Sequence, residues 1–193
     1  LLGGAKVRPD PLPLYNTIGE EEKAAVMEVL DSGILSGFAA QPNREHFGGK
    51  WIEALEGAFC EKFDVKHAIA VNSATTALHA AVAAMGVGPG DEVIVPPYTL
   101  SATATSVLFT GAVPVFADIE PDFFCLDPKS VEDNITPYTK GILVVNLYGQ
   151  PAALFELRKI AKRHGLFLLE DNSQSPGALI ESKATGTIGD AGV

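Results

Sequence analysis

The sequence predicts an α/β protein in which helices cover both faces of a mostly parallel sheet. Helical and strand-like segments alternate along most of its 193 residues, which is typical of βαβ units. The strand-like segments are short and continuously apolar, as strands buried on both faces are. These two patterns predict a three-layer α/β/α sandwich, whose ligands bind outside the carboxyl ends of the strands.

The N-terminal part of the chain is expected to be an extended segment followed by one helix. Three prolines within residues 9–13 favour an extended lead-in. Thr17 and Glu20 fit a capping box for a helix that ends near Gly33. A glycine-rich loop over residues 31–38 follows, and it is either a connector or a loop that faces a ligand.

The alternation of helices and strands begins at Trp51. Residues 51–59 carry apolar side chains at helical spacing, and residues 68–71 form an apolar run with the length of a buried strand. Residues 73–85 are rich in alanine and leucine and predict a helix that closes at a glycine. A Pro-Gly-Asp turn then leads into a strand over residues 92–95.

The second half of the chain repeats the same pattern. Residues 100–109 and 154–163 predict helices, the second of them amphipathic. Residues 113–117, 142–145 and 166–169 are apolar runs that predict three further strands.

The composition excludes several classes of function. The chain has 14 lysines and arginines against 24 acidic residues, a net charge of −10, which argues against nucleic acid or an anionic membrane as a partner. No apolar run approaches the roughly 20 residues of a membrane span, so we expect a cytoplasmic protein. Cys60 and Cys125 lack metal-ligand spacing and are expected to be buried, and no metal site is predicted.

Small and hydroxylic residues open the helix predicted after residues 68–71. Thr75 and Thr76 lie in its first turn, where free backbone amides, hydroxyl groups and the helix dipole together favour a phosphate. The alternative is a plain helix cap. A nucleoside triphosphate P-loop is excluded, because the segment lacks the lysine of that motif.

A second polar group follows the strand over residues 166–169. A carboxylate such as Asp171 at the carboxyl end of a buried strand is costly unless a cation meets it, and a protonated pyridine nitrogen would supply one. Gln174 could bond a ring substituent or a neighbouring backbone group, and Asp171 could equally be a turn carboxylate. Tyr98 and Tyr148 end two further strands, where they could contact a ligand or only pack.

Five motifs carry a family resemblance when taken together. They are residues 86–95, the Tyr98-Thr99 pair, residues 111–116, Glu170-Asp171-x-x-Gln174 and Gly186-x-x-Gly189-Asp190. In their order and spacing they resemble the DegT/DnrJ/EryC1/StrS family of sugar aminotransferases, which are fold-type I enzymes that depend on pyridoxal 5'-phosphate (PLP). The resemblance implies that residues 51–193 are the PLP-binding large domain and that residues 1–50 are an N-terminal extended segment, helix and glycine-rich loop.

The resemblance also implies a role for each candidate residue. Thr75 and Thr76 fall where the family binds the cofactor phosphate. Asp171 falls on the carboxylate that pairs with the pyridine nitrogen, and Gln174 on the residue that contacts the ring hydroxyl. Leu100 takes the position of a ring-stacking residue that is commonly aromatic, and leucine offers contact there without π-stacking.

Two departures and one missing residue stand out against the family pattern. Asn146 takes the place of a histidine and Asn172 the place of a small residue. The family's Schiff-base lysine falls a few residues past Val193, and neither Lys140 nor Lys183 fits that role. We therefore expect this stretch of chain alone to be catalytically inactive.

The activity that the resemblance implies is transfer of an amino group from glutamate or glutamine to a keto sugar. The sugar would be bound as its nucleotide, in the synthesis of a cell-surface polysaccharide or a secondary metabolite, by a homodimer. A sugar dehydratase of the same family is one alternative. A non-catalytic ligand-binding or sensor protein is another, and a dinucleotide-binding domain is disfavoured because no glycine fingerprint follows a strand.

Overall fold

The computed structural model describes residues 3–5, 7–11, 14–38 and 47–193. The chain divides into two compact units, residues 1–54 and 55–193. The division falls inside helix α2 (Lys50–Phe63), which forms where apolar side chains recur at helical spacing.

Helix α1 (Glu20–Ser32) is the main element of the N-terminal unit. It ends at Gly33, which takes the left-handed conformation expected of a helix-terminating glycine. The predicted capping box at Thr17 is wrong: the helix is capped two residues further on, where the Glu22 carboxylate accepts a 2.6 Å hydrogen bond from the Gly19 amide. Thr17 lies outside the first turn, so its hydroxyl is not placed to accept a hydrogen bond from a helix amide.

A five-stranded, fully parallel sheet forms the centre of the second unit. The elements of this unit are α3 (Ala74–Ala84), β1 (Glu92–Val95), α4 (Ala102–Leu108), β2 (Val113–Phe116), α5 (Pro128–Asp133), β3 (Thr139–Val145), a 3₁₀ turn (Leu147–Gly149), α6 (Leu154–His164), β4 (Phe167–Asp171), β5 (Leu179–Ile180), β6 (Lys183–Ala184) and β7 (Ala191–Gly192). The spatial order of the sheet is β2-β1-β3-β4-β7, and a separate hairpin is made by β5 and β6.

The burial of the central strands confirms the predicted α/β layers. Val93, Ile94 and Val95 are consecutive and fully buried, although successive side chains of a strand point to opposite faces. Helices therefore cover both faces of the sheet. Helix α3 packs with α4, and α5 packs with α6, while α4 contacts β1 and α6 contacts β3.

One predicted strand is absent from the sheet. Residues 68–71 are irregular, and the side chains of Ile69 and Val71 are exposed. A strand requires a neighbour for its backbone hydrogen bonds, and this segment has no ladder partner in the described part of the chain.

Two boundary differences bear on the site. Helix α4 begins at Ala102 rather than at residue 100, which leaves the preceding residues in a turn. Strand β4 runs two residues further than predicted, because Val144 and Val145 of β3 pair with Glu170 and Asp171. The strand ladder therefore fixes the backbone of both acidic residues.

The described residues contain neither a membrane-spanning helix nor a metal-ligand cluster, and the two cysteines differ in burial. No described helix is long and apolar enough to cross a membrane. In the described ranges, no group of three or more histidine, cysteine or acidic side chains is arranged for a metal ion. Cys125 is buried as expected, and burial raises the pKa of its thiol, whereas Cys60 is only partly buried.

Candidate active site

The polar residues predicted from strand ends lie at the carboxyl edge of the sheet. Asp171 is the last residue of β4, directly beside Val145 at the end of β3. The Asn146 amide donates a 3.0 Å hydrogen bond to the Asp171 carbonyl, which extends the pairing of the two strands by one residue. The ends of β3 and β4 therefore hold the candidate residues at one place.

The Asp171 carboxylate is only 5% exposed. Its Oδ1 accepts hydrogen bonds from the Ser173 amide at 3.2 Å and from the Ser173 hydroxyl at 2.6 Å. From the residues that the structure describes, its Oδ2 accepts one long bond of 3.4 Å, from the Thr103 hydroxyl of α4. Among the described residues, no lysine, arginine or histidine forms an ion pair with Asp171. Oδ2 can therefore accept a further, cationic donor.

Gln174 is held beside Asp171 by the turn that follows β3. Its Oε1 accepts a 2.9 Å hydrogen bond from the Tyr148 amide. Tyr148 has φ 53°, a left-handed conformation that is uncommon for a residue other than glycine. Within the described part of the chain the Gln174 Nε2 has no partner, so the side chain presents a donor rather than an acceptor to a ligand.

Helix α3 presents a capped but incompletely satisfied N-terminus. The Ser73 hydroxyl accepts from the Thr76 amide at 3.1 Å and lies 3.0 Å from the Thr76 hydroxyl. In the described ranges the amides of Ala74 and Thr75 have no acceptor, as the first residues of a helix lack an intrahelical one. Helix α3 packs against β4 and α4, the two elements that carry Asp171 and Thr103.

The turn after β1 contributes Thr99 and Leu100. The Leu100 side chain is 69% exposed, so it is available to lie against a ligand. The Thr99 hydroxyl is buried and makes no hydrogen bond within the described residues. An unsatisfied buried hydroxyl is unusual in a native protein and marks the turn as a place where a polar ligand atom would be stabilised.

The two asparagines that depart from the family pattern bond to each other. The Asn146 Nδ2 donates to the Asn172 Oδ1 at 3.0 Å and to the Glu170 carboxylate at 3.3 Å. The Asn146 Oδ1 accepts from the Ala152 amide, and the Asn172 Nδ2 donates to the Thr185 carbonyl. A smaller residue at position 172 would leave the Asn146 amide with a poorer set of acceptors.

Glu170 is fully buried and holds a loop against the sheet. Its Oε2 accepts from the Gly186 amide at 2.7 Å. Its Oε1 accepts from the amides of Ile188 at 2.7 Å and Gly189 at 2.6 Å. Sequence reasoning assigned no role of its own to Glu170, because the amides that bond to it lie 16 to 19 residues away.

The end of the same loop is fixed by Asp190. Its Oδ2 accepts from the Leu168 amide at 2.8 Å and from the Arg158 guanidinium at 2.6 Å. The hydrogen bond from Arg158 holds the pKa of the Asp190 carboxyl below its usual value. The loop is therefore attached to β4 at both of its ends.

We expect the two asparagines to act as one unit in stability. Asn146→Ala should lower the free energy of unfolding by about 1–3 kcal/mol, because the buried Ala152 amide loses its acceptor. Combined with Asn172→Ala, the loss should fall short of the sum by about 0.5 kcal/mol or more, as for residues in direct contact. Urea denaturation of the two single variants and the double variant measures this coupling. Strict additivity would contradict it.

Comparison with known proteins agrees with the fold and with the family that the sequence resembles. The family model for the DegT/DnrJ/EryC1/StrS aminotransferase family matches residues 16–193. The chain is 43% identical over 169 residues to the GDP-perosamine synthase of Caulobacter vibrioides, covering 88% of this chain and 43% of that protein. It thus spans less than half the length of this curated relative.

Two solved structures show the same architecture. The crystal structure of DesV from S. venezuelae superposes with a TM-score of 0.79 at 41% identity, covering 86% of this chain and 42% of that one. The E. coli GDP-4-keto-6-deoxy-D-mannose-3-dehydratase, solved with bound hydrated PLP, superposes with a TM-score of 0.80 at 32% identity, covering 91% and 44%. With its fold-type I sheet and its matching motifs, the chain belongs to the DegT/DnrJ/EryC1/StrS aminotransferase family.

Proposed function

We propose that this chain is the cofactor-binding part of a PLP-dependent sugar aminotransferase. The reaction would move an amino group from glutamate or glutamine to a keto sugar linked to a nucleotide, in a cytoplasmic homodimer. The observation that carries the proposal is Asp171, a buried carboxylate at the carboxyl edge of the sheet with one oxygen poorly satisfied and no ion pair among the described residues.

The residues present fit PLP. Asp171 would hold the proton on the pyridine nitrogen, and the bonds from Ser173 would keep its carboxylate oriented. The unpaired Nε2 of Gln174 would donate to the ring hydroxyl. With its pyridine nitrogen protonated, the bound cofactor supplies the electron sink for amino transfer.

The phosphate and the ring face would be held by two other elements. The free amides at the start of α3 and the hydroxyls of Thr75 and Thr76 would bind the phosphate, where the helix dipole favours negative charge. The exposed Leu100 would lie against the ring. Each of these contacts would orient the cofactor, which itself supplies the electron sink.

Phosphate binding at α3 can be tested by comparing PLP with pyridoxal, which lacks the phosphate. In the protein that contains this chain, we expect Thr75→Val with Thr76→Val to weaken PLP binding by about tenfold or more, because hydroxyl donors to an anion are lost. Pyridoxal binding should not change. Absorbance titration measures both, with the exposed Thr17→Val as the control. An equal loss for the two compounds would contradict phosphate binding at this helix.

A sugar dehydratase is the second candidate, because the E. coli dehydratase superposes as well as DesV does. The two activities are separated by mass spectrometry after incubation with GDP- or dTDP-linked keto sugars and nitrogen-labelled glutamate or glutamine. Label in the sugar supports the aminotransferase. Loss of water without label supports the dehydratase, and cofactor binding without either product supports a non-catalytic binder.

A further inference from the structure

Three aromatic side chains border the carboxyl edge of the sheet and have no role in cofactor binding above. Tyr98 follows β1, Phe124 lies in the loop after β2, and Tyr148 follows β3. Their side chains are 48%, 49% and 76% exposed. Since β2, β1 and β3 are neighbours in that order, the three loops lie along one edge that continues to Asp171 at the end of β4.

Tyr98 interacts with each of the other two side chains. The centroids of the Tyr98 and Phe124 rings are 5.8 Å apart with the planes tilted by 55°, a favourable arrangement for aromatic pairs. The Tyr148 hydroxyl hydrogen-bonds to the Tyr98 hydroxyl, and this bond, followed by the charge of Tyr98, raises the pKa of Tyr148. Tyr98 therefore joins the other two rings into one surface, which we name the aromatic edge.

The backbone holds two of these rings in uncommon conformations. Phe124 has φ 61° and Tyr148 has φ 53°, and both are in the left-handed region that costs a non-glycine residue about 1 kcal/mol or more. Hydrogen bonds impose the two turns: the Phe124 amide donates to the Glu120 carbonyl, and the Tyr148 amide donates to Gln174. Bulky rings kept at strained positions on an exposed edge are typical of a functional surface.

The aromatic edge is continuous with the proposed cofactor site. Gln174, which the resemblance places at the cofactor ring, bonds the Tyr148 amide at 2.9 Å. Asn146, two residues before Tyr148, bonds the Asp171 carbonyl at 3.0 Å. A molecule that reacts above Asp171 would therefore extend over Tyr148.

We propose that Tyr98, Phe124 and Tyr148 form the subsite for a ring of the nucleotide-linked sugar, either its base or its sugar. This inference rests on the proposed function. Aromatic faces stack on flat or apolar ring faces, and phenol hydroxyls can bond ring substituents. The amino donor is acyclic and carries charge, and the carboxylate of Glu120 in the Phe124 loop disfavours both a donor carboxylate and the diphosphate here.

The test removes the most exposed ring from the protein that contains this chain. With PLP bound, Tyr148→Ala should weaken binding of GDP and dTDP, or raise KM for the keto sugar nucleotide, by about tenfold, since one stacked base contributes about 1–3 kcal/mol. The KM for glutamate should stay unchanged. Calorimetry measures the affinity for free GDP and dTDP, and a lower affinity in the variant indicates that the base stacks on Tyr148. A higher KM for the keto sugar nucleotide with unchanged affinity for the free nucleotides indicates that the sugar stacks there.

Two further variants keep the result interpretable. Tyr148→Gly removes the ring and suits φ 53°, so it tests the ring even if the alanine variant folds poorly. Tyr138→Ala removes another exposed tyrosine, next to the opposite end of β3, and should change neither the nucleotide affinity nor the KM for the sugar nucleotide. Wild-type nucleotide affinity and KM in both Tyr148 variants would overturn the aromatic edge. A wild-type protein that fails to bind PLP would instead overturn the proposed function.

Discussion

Replacing Asp171 with asparagine is expected to lower kcat by about a hundredfold to a thousandfold while the fold persists. Asparagine keeps an oxygen that can accept from Ser173, so the local hydrogen bonds survive. Its neutral amide cannot hold a proton on the pyridine nitrogen, and the cofactor would lose its electron-withdrawing form. Steady-state kinetics of the cofactor-loaded protein measure the loss, and thermal unfolding should show a midpoint close to that of the wild type.

The matched control is Asp133→Asn on the exposed end of α5, which makes the same chemical change away from the sheet edge. It should leave both kcat and the unfolding midpoint unchanged. Near-normal turnover in Asp171→Asn would refute the assigned role. An equal fall in stability and activity would instead identify Asp171 as a turn carboxylate that only supports the fold.

The sheet could be predicted from sequence because its strands are buried on both faces. Residues 93–95 and 142–145 are continuously apolar, and a segment of that kind has few alternatives to the centre of a covered sheet. Asp171 and Gln174 could then be placed at the carboxyl edge, because parallel strands end together. Local composition and the general topology of α/β sheets were sufficient for both steps.

The features that escaped prediction depend on partners distant in sequence. Residues 68–71 have the composition of a strand, but whether they form one depends on a neighbour. The hydrogen bond from Thr103 to Asp171 joins residues 68 positions apart, and no spacing rule predicts it. The pairing of Asn146 with Asn172 likewise becomes visible only when β3 and β4 lie side by side.

The two acidic residues at the end of β4 lie on opposite faces of the strand and have different partners. Successive side chains point to opposite faces, so Asp171 contacts Thr103 of α4 while Glu170 contacts the loop over residues 186–189. Asp171 retains an oxygen that can accept a further donor. Glu170 has both oxygens occupied by protein donors, and its effect should therefore appear in stability.

Replacing Glu170 with glutamine is expected to lower the free energy of unfolding by about 2–4 kcal/mol, although the two side chains have nearly the same shape. Both oxygens of Glu170 accept from N–H groups, so either orientation of the glutamine amide places its NH₂ against a donor. One orientation opposes the Gly186 amide, and the other opposes the amides of Ile188 and Gly189. Urea denaturation at neutral pH measures the change, with the exposed Glu61→Gln on α2 as the control for loss of charge. If Glu170→Gln were as stable as that control, the buried carboxylate would not be what holds the loop to the sheet.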